Sequence, residues 1–274
     1  MKIGFCLHGD WIITRPDLVE YVQQVGYDGV EIWTQSFDNF GFEAVKEAVD
    51  ALRCELIAVN PYFDFTTSAA SMEKSLCDAG KYISYAASLR AQNVRAYLSP
   101  FGTFNGVNSR IEDATDDEWD RAVNGAQKVC DLALERGMTV LLEPNEISGQ
   151  LYDTSETCLR FLNRVRRKNL KVNLQVPLCK EDPLYSAHML APYVTHLHAH
   201  NLSKPAFSVE NIVMLDDDSG VIDFEAYLKL LIGHGFNGCI SIEHAFPPDS
   251  ERIAKHQYEY LNTLLASLHV RNAD

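Results

Sequence analysis

Short apolar runs that stop on a polar or charged residue recur along this chain, separated by helix-length amphipathic stretches. Runs of this kind are the pattern of strands buried on both faces of a parallel sheet. Eight strands are predicted, at Lys2–Leu7, Gly29–Trp33, Glu55–Asn60, Val94–Ser99, Thr139–Glu143, Lys171–Val176, Val194–His200 and Cys239–Glu243. Between them, helices are predicted over Phe42–Leu52, Met72–Ala91, Asp116–Arg136, Ser155–Arg167, Phe224–Gly233 and Ser250–Leu268, with a short one near Tyr185–Leu190. The first helix is expected to take Thr14 as its cap and Pro16 and Asp17 in its first turn. Leu18, Val22 and Val25 then form its inward stripe, and Gly26 stops it.

The joint GYDGVEIW (residues 26–33) returns as GFNGCISIE (residues 235–243): glycine, aromatic, Asp or Asn, glycine, then a strand closing on an acid. Repeated glycine stops, tight loops and buried strands mark a β/α architecture, and eight such strands most simply close into a (β/α)8 TIM barrel. Two longer stretches, Pro100 to Thr115 and Asn201 to Val221, leave strand C-terminal ends and read as loops covering a substrate, the second carrying three consecutive aspartates, Asp216 to Asp218. Linkers and low-complexity segments are lacking, so residues 1–274 read as one domain.

Chemistry concentrates where the strands end. Glu143 and Glu243 each close an apolar run, and a carboxylate at the exit of a buried strand must find a proton, a cation or a partner. His196, His198 and His200 alternate along VTHLHAH, so in a strand they share one face. Two carboxylates and a histidine comb make a candidate metal site, the plain alternatives being surface acids and a hydrogen-bonded core histidine. His196 lies one layer deeper and reads as core, while His200 sits at the rim as a substrate contact or loop residue. His8, Glu31 and Asn60 point toward the same mouth, with a capping histidine, a paired buried acid and a turn asparagine as their alternatives. Lys204 could reach a substrate oxygen, and Trp33, Tyr62, Phe63 and Phe101 could build an apolar wall or simply pack loops.

A formal net charge of −14 disfavours nucleic acid and anionic membrane surfaces as partners and leaves a small neutral substrate as the better fit. No apolar run approaches the ~20 residues of a membrane span, and the N-terminal MKIGFCLHGDW reads as a strand rather than a signal peptide. Seven scattered cysteines without a CxxC pair read as free thiols in a cytoplasmic protein.

The series GYDGVEIW, LLEPNEISGQLYDTSE, KVNLQVP, THLHAHNL and ISIEHA resembles the xylose isomerase-like TIM-barrel superfamily of sugar isomerases, ketose 3-epimerases, inosose dehydratases and endonuclease IV. The resemblance spans the chain in order. It implies a divalent ion, Mn2+ first and Mg2+ or Zn2+ as alternatives, held by Glu143, His198, Glu243 and a fourth position. There the family shows Asp, commonly with His three residues on, whereas this chain has Gln175 and Leu178. Gln175 can still offer a carbonyl oxygen but brings no charge, which should weaken metal binding.

The resemblance further implies Glu143 and Glu243 as the catalytic pair, each a ligand with a free oxygen, moving protons on opposite faces of a substrate through an enediolate. His8, Asn60, His200 and Lys204 are the expected substrate contacts. The leading expectation is a metal-dependent sugar or keto-sugar isomerase or epimerase, and the second a dehydratase or lyase on a cyclitol or 3-keto-glycoside. A barrel without metal, serving as a carbohydrate-binding subunit, is the reading of another class that Gln175 motivates. An endonuclease IV-like activity fits poorly with the acidic charge, and a homo-oligomer is an expectation from resemblance alone.

Overall fold

The computed structural model describes residues 1–97, 114–144, 151–178, 181–205 and 208–270. Within them run β1 (Lys2–Leu7), α1 (Trp11–Thr14), α2 (Pro16–Val25), β2 (Gly29–Trp33), α3 (Gln35–Asp50), β3 (Glu55–Asn60), α4 (Ala69–Ser88), β4 (Asn93–Ala96), α5 (Asp116–Leu134), β5 (Thr139–Leu142) and α6 (Ser155–Val165). They continue with β6 (Leu170–Leu174), α7 (Pro183–Leu190), β7 (Val194–Ala199), β8 (Asn201–Leu202), β9 (Ile212–Val213), α8 (Phe224–Gly233), β10 (Cys239–Ile242) and α9 (Ser250–Ser267). Eight strands close into a parallel barrel in the order β1-β10-β7-β6-β5-β4-β3-β2, while β8 and β9 form a small antiparallel ribbon outside it. This is a single-domain TIM barrel. Among the described residues no helix is long and apolar enough to cross a membrane.

The repeated glycine joint has a physical reason at each position. Gly26 and Gly235 sit at φ 113° and 91°, the left-handed region that ends a helix without a Cβ clash. A Cβ on Gly29 would lie 2.6 Å from the Glu55 carbonyl oxygen, and one on Gly238 would lie 1.8 Å from that of Thr195. The first glycine of each joint therefore turns the chain, and the second lets the new strand approach its neighbour.

Several boundaries differ from the sequence expectation. Thr14 ends α1, its hydroxyl turned back onto Asp10, and Arg15 rather than Thr14 precedes α2. The helix expected from Phe42 begins at Gln35, with a break at Gly41 where φ reaches 82°. Strand β4 stops at Ala96, and Tyr97 continues only as an isolated bridge to Tyr62. Asp182, not Tyr185, starts the short helix by accepting from the backbone of Leu184 and Tyr185.

The stretch after β7 is tied down from inside. The Asn201 carboxamide donates to the carbonyls of Leu215 and Ile222 and accepts from the amides of Leu202 and Ile222. In its acidic run Asp216 pairs with His256 of α9 at 2.8 Å, and Asp217 accepts from the Ser219 backbone. Most of the other loop expected to cover substrate, 100–113, and Phe101 with it, lies outside the described residues. The six described cysteines are free thiols, and Cys179 falls outside them.

Candidate functional site

Because parallel strands deliver their C-terminal ends to one mouth, residues far apart in sequence meet there. Glu143 follows β5, His198 lies in β7 and Glu243 follows β10; one ligand atom from each lies within 4.8 Å of the other two. His198 turns Nδ1 toward this group, in contact with Glu143 Oε1 and 3.4 Å from Glu243 Oε1. Its other nitrogen, Nε2, faces Glu31 Oε2 at 3.2 Å and the Cys6 thiol at 3.6 Å.

The first carboxylate is enclosed. Glu143 is 0% exposed, and its Oε2 meets Arg95 Nη1 of β4 at 2.8 Å. The Arg95 guanidinium is itself buried against the rings of Tyr97, Trp33 and Tyr62, at 4.6, 5.1 and 5.3 Å. Burial works against this charge, yet Glu143 holds the guanidinium well above its ordinary pKa. Arg95 is the main residue that sequence reasoning passed over. A signal existed: a charged residue inside a parallel strand with both faces covered must have a buried partner.

The second carboxylate is held by different partners. Glu243 is 8% exposed; its Oε2 accepts from Gln175 Nε2 and lies 3.0 Å from His244 Nε2. Burial would raise the Glu243 carboxyl, but His244 and His198 hold it well below the usual carboxylate range. His244 occupies φ 64°, an uncommon backbone for a non-glycine residue of the kind that clusters at functional sites. Its identity as a site residue was not legible, since nothing in EHAF announces a left-handed residue. His200 is buried beside Gln175, 3.5 Å from the carboxamide nitrogen, and burial followed by His244 pushes its imidazole down to about 3.

The remaining expected contacts separate. His8 sits in the pocket wall, 4.6 Å from the Trp33 ring, 5.1 Å from Phe246 and stacked on His244 at 5.6 Å. Its Nε2 accepts from the His244 backbone N–H at 3.3 Å, and burial lowers its imidazole to about 3. Asn60 turns inward to donate to Glu31 at 3.1 Å. Lys204 is exposed and makes no ion pair among the described residues. Trp33 is buried and donates to Tyr62 Oη at 2.9 Å, Tyr62 is 43% exposed, and Phe63 belongs to the core.

These residues fit a divalent cation. One ligand atom each from Glu143, His198 and Glu243 lies within 4.8 Å of the other two in the buried interior, and two carboxylates crowded this closely call for a cation to offset their charge. Carboxylate oxygens and one imidazole suit Mg2+, Mn2+ and Zn2+. Gln175 presents its amide nitrogen to Glu243; turned over, it offers a neutral oxygen to the same point.

The family model for the xylose isomerase-like TIM barrel matches residues 19–264, and the chain belongs to that family. It is 26% identical over 201 residues to a 3-dehydroshikimate dehydratase of Bacillus anthracis, covering 70% of this chain and 68% of the relative. A D-psicose 3-epimerase of Clostridium cellulolyticum H10, solved with D-tagatose, superposes with a TM-score of 0.79 at 16% identity over 97% of this chain and 99% of its own. A xylose isomerase-like barrel protein of Mycobacterium smegmatis, solved in complex with magnesium, superposes with a TM-score of 0.76 at 17% identity over 97% of each chain. At these identities the two solved structures establish likeness of fold alone.

Proposed function

We propose that this chain is a divalent-metal-dependent lyase that removes water from a small polyhydroxylated keto compound. The supporting observation is the inequality of its two site carboxylates. Glu143 turns one oxygen to the ion position and gives the other to the buried guanidinium of Arg95, while Glu243 gives its second oxygen to the Gln175 carboxamide and the His244 ring, partners more easily displaced than a buried guanidinium. One carboxylate is thus available for proton transfer, and one is enough for an elimination.

Glu143, His198 and Glu243 would hold the ion, with Gln175 as a neutral fourth ligand. When bound, a divalent cation supplies Lewis-acid stabilisation of negative charge on a neighbouring substrate oxygen and so acidifies the adjacent C–H. Glu243 takes the proton from the carbon next to the carbonyl. The released electron pair forms a carbon–carbon double bond as the hydroxyl on the next carbon departs. The same carboxyl returns its proton to that oxygen, so water leaves and Glu243 is again a carboxylate. Gln175 and His244 steady the working oxygen of Glu243, and the wall of His8, Trp33 and Phe246 keeps water from its apolar side. The dehydratase relative at 26% identity supports the same outcome.

A 3-epimerase is the second reading, since Glu143 and Glu243 both touch His198 and could flank a substrate. It requires Glu143 to release the oxygen that Arg95 holds. The test is incubation of Mn2+-loaded protein with 3-dehydroshikimate and a panel of ketoses and cyclitols in D2O, followed by proton NMR. Elimination gives an unsaturated product. An epimer carrying solvent deuterium at the inverted carbon would overturn the lyase in favour of the epimerase. Neither consumption nor exchange anywhere in the panel would favour a binding barrel.

A further inference from the structure

Beneath the ion position lies a buried carboxylate that the proposed reaction does not use. Glu31 of β2 is 0% exposed. Its Oε1 lies 2.7 Å from His196 Nε2, and its Oε2 lies 3.2 Å from His198 Nε2 and 3.1 Å from Asn60 Nδ2. Leaving such a group in the barrel interior without donors would cost several kcal/mol, and an ionised carboxylate can only accept. Each contact therefore fixes a proton on the partner nitrogen. Without metal both ring nitrogens of His198 face carboxylates; with a cation bound and the ring neutral, the hydrogen kept on Nε2 by Glu31 would leave the Nδ1 lone pair for the side where Glu143 and Glu243 stand. His196 is held likewise, its Nε2 also 3.2 Å from Ser241 Oγ, so that Glu31 is itself anchored on two sides.

We propose that Glu31 is the positioning residue of the metal centre: it selects the tautomer and ring orientation in which His198 presents Nδ1 to a divalent ion. This rests on the metal-dependent reading above and deepens it, because a ligand histidine is as good as the group that holds its other nitrogen. A carboxamide at this position cannot do the same. It has one oxygen to accept with and an N–H that donates, and a donor opposite His198 Nε2 drives the ring proton to Nδ1, where it blocks ligation. The same carboxylate also accounts for the orientation of Asn60, whose side-chain N–H turns into the barrel to donate to Glu31.

The experiment is calorimetric titration of metal-free parent and Glu31→Gln protein with Mn2+ alone, alongside thermal melts of both without metal. Loss of about 10- to 100-fold in Mn2+ affinity is expected, with a melting temperature close to that of the parent. Equal affinity in parent and variant overturns the proposal while leaving the metal site intact. A parent that takes up no Mn2+ ends the metal-dependent reading, and this one with it. A purely packing role would lower the melting temperature and leave affinity unchanged. Should Glu31→Gln fail to fold, nitrogen-15 NMR of the histidine rings in Zn2+-loaded parent decides. A His198 ring protonated at Nε2 and coordinated through Nδ1 supports the assignment, and coordination through Nε2 overturns it.

Discussion

Glu143 and Glu243 leave corresponding ends of strands on opposite sides of one barrel, yet their surroundings differ in charge and in access. On the β4–β5 side, Glu143 is fully buried, paired with a guanidinium that three aromatic rings enclose. On the β6–β10 side, Glu243 is 8% exposed and held by a carboxamide and an imidazole. In the proposed reaction the same residue type at equivalent positions serves as an anchor in one place and as the base in the other. Environment assigns the role, as it does wherever two carboxylates of one site are pushed apart in function.

The largest way to disturb that contrast is to remove Arg95. Arg95→Met leaves Glu143 as an uncompensated buried charge, and a loss of about 3–5 kcal/mol of unfolding free energy is expected in denaturant titration at neutral pH. Adding Glu143→Gln to the same chain should recover most of it. A parent-like midpoint for the single variant would mean that Arg95 is not what holds Glu143.

Next in size is the neutral ligand on the open side. Gln175→Asp should tighten Mn2+ binding by about tenfold, because affinity at oxygen-rich sites follows ligand charge, and Gln175→Leu should weaken it. Titration with the ion alone reads both. Unchanged affinity in both variants, with turnover lost, would make Gln175 a substrate contact.

At neutral pH the smallest effect is that of His200, which shows only as acid is added. Its folded pKa of about 3 lies below the ordinary imidazole value near 6.5, so the fold prefers the neutral ring. Its contribution to stability is complete above about pH 6.5 and is lost as pH falls toward 3, with a slope of about 1.4 kcal/mol per pH unit. In metal-free protein, His200→Asn should flatten the acid limb of stability against pH by about one proton. Parallel curves would place the ring in water.

How much of this was legible in the sequence follows from what each feature depends on. The eight strands and most helices were, because burial on both faces writes a continuous apolar run and because each glycine joint is a local steric need. Glu143, His198 and Glu243 were placed at one mouth by strand periodicity and the family resemblance, and the structure brings them together. Arg95 was not singled out, since a lone arginine in VRAYLS looks like any strand residue until its partner at the end of the next strand, β5, is known. Nor was the pairing of Asn60 with Glu31, which depends on how β3 lies against β2. The exposure of Lys204 and the pairing of Asp216 with His256 were not legible, because a polar loop does not say which way its side chains point.

The unequal roles of the two carboxylates are tested most directly by solvent exchange in variants saturated with Mn2+. With a substrate found in the NMR screen, Glu143→Gln at saturating metal should retain exchange of the α-proton in D2O, because its loss is one of ligation that excess ion restores. Glu243→Gln should lose that exchange by about 100- to 10,000-fold even with the metal in place. Equal loss of exchange in both variants at full metal occupancy would contradict the division of roles and restore Glu143 as a second base.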